Sequence, residues 1–172
     1  MKRLAWVPLV VFMCVSPALW GQNTPNEDPS ARLARLERQV ESLRFAIEEA
    51  EQRTVELTFM LEAQEVARYE KIRYTSSADG RIISAHLWTP LKAAGRKLPA
   101  LIWVHGGVHG HLDLYYWRLI RDMLEEGYIV LAPEYRGSTH HGAALYNAID
   151  YGGMEVEDCI SCLLYTSDAA DE

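Results

Sequence analysis

The stretch LPALIWVHGG, Leu98 to Gly107, decides how this chain is read. A continuous apolar run that stops at a histidine and two glycines predicts a strand buried on both faces and ended by a tight turn. Downstream, Asp113 to Glu126 sets Tyr116, Ile120 and Met123 at helical spacing, with Leu119 and Leu124 beside them and Gly127 closing the segment. A second buried run, Tyr128 to Ala132, then leads into Tyr135-Arg136-Gly137-Ser138. Strand, helix and strand at these lengths form a crossover between parallel strands, so the fold class is α/β.

Upstream, Ile72 to Ser76 and Arg81 to Trp88 read as two strands joined at Ala78-Asp79-Gly80, a predicted hairpin. Pro90 to Lys97 reads as a loop. Before the hairpin the period changes. Leu33, Leu36, Val40, Leu43, Ile47, Ala50, Thr54, Leu57, Leu61 and Gln64 alternate three and four residues apart, with Arg32, Glu37, Arg44, Glu51 and Arg53 beside them. This heptad seam predicts a coiled-coil helix over 31–68 that joins two or three copies, chiefly through Leu33, Leu36, Val40, Leu43, Ile47, Leu57 and Leu61. The alternative is a lone amphipathic helix lying on the body.

Lys2 and Arg3 precede an apolar run from Leu4 to Trp20, so 1–21 is expected to be a secretory signal and 22–30 a polar linker. That assignment places the protein outside the cytoplasm, secreted or periplasmic, with an uncleaved membrane anchor as the alternative. The last residues, Cys162 to Glu172 (CLLYTSDAADE), coincide with the translation of a transposase adapter used in sequencing libraries. They are expected to stand outside the fold, with the natural reading frame continuing past Ile160. The domain order is then signal, linker, helix, the N-terminal part of an α/β domain over 69–161, and the 162–172 tail.

The chain's 172 residues carry a formal charge of −7 without clustering, which argues against nucleic acid as partner. Of three cysteines, Cys14 would leave with the signal and Cys162 lies in the tail, so no internal disulfide is expected. Cys159-x-x-Cys162 lacks the second Cys/His pair that a metal or redox motif needs.

Three motifs carry chemistry: Trp103-Val104-His105-Gly106-Gly107, then Gly127-Tyr128-x-Val130-Leu131-Ala132-Pro133-x-Tyr135-Arg136-Gly137-Ser138-Thr139, then Gly152-Gly153-x-Glu155-Val156-Glu157-Asp158. Together they resemble the catalytic domain of the prolyl oligopeptidase family of α/β-hydrolases, over roughly Tyr69 to Ile160. The resemblance implies a serine peptidase working through an acyl-enzyme, with a peptide or ester substrate and no metal or organic cofactor. It places the Gly-x-Ser-x-Gly-Gly nucleophile elbow, the acid and the base beyond Ile160, on strands the sequence does not contain. The nucleophile strand would pair with Pro99 to Val104, so a chain ending at residue 172 is expected to expose that apolar edge, to aggregate or remain partly unfolded, and to be inactive. A carboxylic esterase of the dienelactone hydrolase type is an alternative. A coiled-coil oligomerisation protein with a non-catalytic hydrolase-like remnant is another.

A strand ending in two glycines brings backbone N–H groups close to a substrate carbonyl, because no side chain blocks the approach. The resemblance assigns one oxyanion donor to the Gly107 N–H, with Gly106 permitting the turn. His105, Tyr135, Arg136 and Gly137 are expected to shape the loops rather than to react. His105, His109 and His111 as a metal cluster is the competing reading, and only Asp113 stands near enough in sequence to add a carboxylate. His140 and His141 are expected at a pocket rim. Ser138 has no second glycine two residues on and follows the wrong strand for an elbow, so it is rejected as nucleophile. Glu155, Glu157 and Asp158 are expected to favour the positive end of a helix dipole.

Overall fold

A computed structural model describes residues 28–93, 97–107 and 109–169. The predicted signal and most of the linker lie outside the described residues. By its contacts the chain divides at Val40 into two units. The first contributes the opening of helix α1 (Pro29–Ala63), where Leu33, Leu36 and Val40 are exposed. No helix among the described residues is long and apolar enough to cross a membrane.

The second unit is a twisted sheet of four strands in the order β1-β2-β4-β3, built from β1 (Ala67–Thr75), β2 (Ile82–Pro90), β3 (Ala100–Ile102) and β4 (Ile129–Glu134). The hairpin forms as predicted: β1 and β2 pair antiparallel from Ala67↔Pro90 to Thr75↔Ile82, and Gly80 in the connection takes a positive φ of 77°. β2 pairs antiparallel with β4, and β3 pairs parallel with β4 through Ala100↔Ile129 to Ile102↔Leu131. The connection between β3 and β4 is a 3-10 turn (Leu114–Tyr116) followed by α2 (Trp117–Glu125), with Gly127 at φ 95° behind it. Asp113 caps that turn, its side chain accepting from the Tyr115 N–H.

Strand alternation separates two cores. On one face Trp88, Val130 and Ala132 pack with Ile120 and Leu124 of α2 and with Phe59 and Ala63 of α1. On the other, Ile72, Tyr74, Ile83, Ala85 and Leu131 pack with Leu145 of α3 (Ala143–Tyr146) and Cys162 of α4 (Met154–Ala169). β4 is buried on both sides, as its unbroken apolar run requires.

Three expectations are corrected. The long helix stops at Ala63 rather than running to residue 68, because Ala67 is buried in the first core and Arg68 joins β1 opposite Thr89. Gln64, read as the last seam position, falls in the connecting turn. Pro90 and Leu91–Ala93 are the end of β2 and a 3-10 turn rather than open loop. Nor does the chain leave the fold at Cys162, because α4 runs on to Ala169 and seats Ser161 and Cys162 inward, where Tyr74 already donates to the Asp158 carbonyl (2.8 Å).

Candidate active-site turns

The ends of β3 and β4 lie side by side, so the residues that follow each strand meet above the sheet. Beyond β3, His105 is buried while Gly106 and Gly107 are exposed, Gly107 with φ 79°, a conformation that glycine adopts without strain. The turn is held from beneath. Tyr135 Oη donates to the carbonyls of His105 (3.0 Å) and Gly107 (3.1 Å), and its ring stacks on the His105 imidazole at 4.4 Å. The Gly107 carbonyl is thereby taken, while no acceptor among the described residues takes its N–H. Gly110 closes the loop so tightly that a Cβ there would collide with the Gly106 carbonyl oxygen. Its role carries no motif and was missed in the sequence.

Beyond β4, the Tyr135–Ser138 turn hangs on Arg136. Its guanidinium is fully buried and donates to both Asp158 carboxylate oxygens (2.8 Å each) and to Asp79 (3.1 Å). The Arg136 backbone N–H also donates to Asp158 (3.0 Å). Hydrogen bonds from Arg136 to Asp158 first, then to Asp79, push the guanidinium pKa further up, so it stays charged. Asp79 is held below the usual carboxylate range, first by the Arg81 N–H and then by Arg136. Asp158 is therefore not a helix-dipole residue as expected: it lies in the second turn of α4, fully buried, and ties that helix to the loop. Capping falls to Asp150, which accepts from the Met154 N–H, and to Glu155, which accepts from the Gly152 N–H.

Ser138, His105 and Glu134 have the composition of a catalytic triad, and their geometry refuses the role. Ser138 Oγ lies 2.9 Å from His105 Nε2, and Glu134 Oε2 approaches that same nitrogen at 3.4 Å. In a triad the acid takes the other ring nitrogen, which here faces the Gly106 carbonyl at 3.5 Å. Ser138 is also fully buried, so no substrate reaches it.

Glu134 anchors the inner wall of a cavity of about 550 Å³ lined by Ile47, Val55, His86, His111, His140 and His141 among others. Its Oε1 accepts from the Leu112 N–H (2.9 Å) and lies 3.4 Å from His86 Nε2, whose Nδ1 meets Tyr69 Oη at 2.9 Å. An ionised carboxylate only accepts, so the His86 proton sits on Nε2 and Tyr69 donates to Nδ1. Burial alone would raise the Glu134 pKa, but His105 and His86 outweigh it and hold the carboxyl well below its ordinary value. Both imidazole contacts are long, and Oε2 makes no hydrogen bond of ordinary geometry. Burial pushes His141 down to about 4, and burial followed by the neighbouring His140 lowers His111, so these two imidazoles resist protonation.

His105, His109 and His111, the competing metal reading, do not form a ligand set among the described residues. His109 meets the Gly137 carbonyl (2.9 Å) and stacks on Tyr146, while His111 meets Thr139 Oγ1 (2.9 Å). Among the described residues no three His, Cys, Asp or Glu side chains form a metal-ligand set. The Cys159 and Cys162 thiols are pushed up to about 11 and about 12 by burial, which keeps them protonated and poor ligands. Gly107, Tyr135, Ile149, Tyr151, Gly152 and Glu155 line a separate, shallower hollow.

Comparison with known proteins agrees with this arrangement. The chain is 30% identical over 99 residues to dipeptidyl-peptidase 5 of Aspergillus fumigatus, covering 54% of this chain and 14% of that protein. It is 29% identical over 97 residues to the uncharacterized peptidase YuxL of Bacillus subtilis, covering 55% and 15%. The chain thus spans about 15% of the length of the relatives it matches. Among solved structures, a Mycobacterium tuberculosis puromycin-hydrolyzing peptidase superposes with a TM-score of 0.52 at 25% identity, over 60% of this chain and 17% of that one. The Pyrococcus horikoshii acylaminoacyl peptidase superposes at 0.51 with 17% identity, over 63% and 18%, a likeness of fold. These strands and helices therefore correspond to part of an α/β-hydrolase sheet, and the chain is related to serine peptidases of this kind. The profile of the prolyl oligopeptidase family matches residues 115–170 of this chain.

Proposed function

We propose that this chain is the oxyanion-side portion of a longer secreted serine hydrolase that cleaves peptide bonds through an acyl-enzyme. The observation that carries the reading is the Gly107 peptide: exposed, at φ 79°, its carbonyl tied to Tyr135 and its N–H without an acceptor among the described residues. A preorganised donor of that kind stabilises the charge that develops on a substrate carbonyl oxygen, typically by about 3–4 kcal/mol. The hollow beside Gly107 would receive the substrate. The apolar edge of β3, which has one neighbour among the described residues, is where a nucleophile strand would add.

Peptidase is preferred to carboxylic esterase because the relatives similar in sequence are named as peptidases. The test is to read the gene through the codons after Ile160 and to express the whole frame. A product that reacts with a fluorophosphonate at a Gly-x-Ser-x-Gly serine and releases an aminoacyl anilide supports the reading. Hydrolysis of nitrophenyl esters with no anilide cleavage would favour the esterase. A frame with no later serine elbow would end both and leave the oligomerisation protein.

A further inference from the structure

Helix α1 has two apolar faces, and the folded body uses one of them. Within the second unit, Val55, Phe59 and Ala63 turn toward the sheet, with the Phe59 ring edge-on to Trp88 at 5.2 Å. Leu43, Leu57 and Leu61 of the same helix remain 64%, 56% and 62% exposed, while Ile47 borders the cavity above Glu134. At 3.6 residues per turn the two sets point in roughly opposite directions, so the docked face cannot account for the exposed one. A lone amphipathic helix resting on the body explains Phe59 and leaves these three leucines unexplained. An apolar row of this length facing water marks an interaction surface.

We propose that a second copy of this chain covers the row, as a parallel two-stranded coiled coil. In heptad terms Val40, Ile47 and Thr54 take the a positions between Leu33 and Leu61, and Leu36, Leu43, Ala50 and Leu57 take d. β-Branched residues at a with leucine at d favour two parallel strands over three or four. The flanking charges fit the same partner. In a parallel pair each g residue faces the e residue five positions on in the other copy, which sets Arg32 opposite Glu37 of the second copy, once on each side. The remaining pairs, Gln39 with Arg44, Ala46 with Glu51 and Arg53 with Thr58, set no like charges together. Self-complementarity of seam and flank is what selects another copy over an unrelated helix.

Site-directed cross-linking in the full chain tests this, with Cys14→Ser and Cys159→Ser removing the other reactive thiols. Leu43→Cys faces its own counterpart in a parallel pair, whereas Ser42→Cys, one residue away, points off the seam. Under mild oxidation Leu43→Cys should give about tenfold more disulfide-linked dimer than Ser42→Cys, since only facing d positions bring Cβ atoms within bonding range. Adding Leu57→Lys, at a site outside the core, should abolish the difference. Equal yields at 42 and 43, as random aggregation would give, overturn the proposal, as does no dimer at all. Dimer that forms only on mixing Leu43→Cys with Thr54→Cys chains shows an antiparallel pair and overturns it, and a trimer by sedimentation does so too.

Discussion

Glu134 and Arg136 stand two residues apart at the end of β4, both buried, and the molecule handles their charges differently. Arg136 faces two carboxylates and has its donors filled at 2.8–3.4 Å. Glu134 faces imidazoles at 3.4 and 3.8 Å and one backbone N–H. The first arrangement is a brace: charge meets opposite charge, with the Arg136 guanidinium pushed up and the Asp79 carboxyl held down. The second depends on the protonation of its neighbours, so the same strand end carries a pH-insensitive support for the 135–138 turn and an acid-sensitive one behind His105.

Removing one partner of the brace should do the most damage. Asp158→Ala leaves a buried guanidinium with only the partly exposed Asp79 as counter-charge and should cost about 3 kcal/mol, read as a fall in denaturation midpoint. Arg136→Lys should recover only part of what Arg136→Ala loses, because an ammonium cannot bridge Asp158 and Asp79 as a planar fork does. If Asp158→Ala melts like the parent, Arg136 is not what holds the turn.

The Glu134 side should respond to acid. His141 has a folded pKa depressed to about 4 from the ordinary 6.5, so the unfolded chain binds the proton first as pH falls. The stability this site contributes is complete above pH 6.5 and is lost progressively down to about 4. Glu134, also depressed, adds to the loss at lower pH still. The expected decrease for His141 is about 2–3 kcal/mol across that window, measured by denaturant titration at stepped pH. His141→Gln should flatten the profile between pH 6.5 and 4 and leave the brace unaffected. A flat profile in the parent would show that the imidazoles are not held neutral.

A smaller effect separates shape from charge. Gly110→Ala pushes a methyl group into the Gly106 carbonyl and should cost about 1–3 kcal/mol through loop strain. It should distort the 105–107 turn while leaving the Arg136 network intact, which proton chemical shifts of Tyr135 against those of Tyr74 would report.

How far each side was legible follows from the kind of signal it carries. The hairpin, the parallel crossover and the glycine turn announce themselves through period and punctuation, which act over neighbouring residues. Tyr135 and Arg136 stood inside a motif and were expected to shape loops, although Arg136's partners, Asp79 and Asp158, lie 57 and 22 residues away and no local pattern pairs them. Glu134 and His86 went unremarked. A carboxylate ending an apolar run was the one available hint, and the register Ser84↔Glu134 that places His86 beside it exists only once β2 and β4 pair. The helix end was misjudged for a similar reason: helical propensity continues past Ala63, but Ala67 is worth more in the core than in another turn.

The Gly106–Gly107 turn is proposed to meet the reacting carbonyl of a serine hydrolase. Solving the structure of the protein from the complete reading frame after reaction with a phosphonate inhibitor tests it most directly. The expected result is a phosphonyl oxygen about 2.7–3.1 Å from the Gly107 nitrogen, above the Tyr135 ring. A phosphonyl oxygen bound by other donors, with Gly107 out of reach, would contradict it.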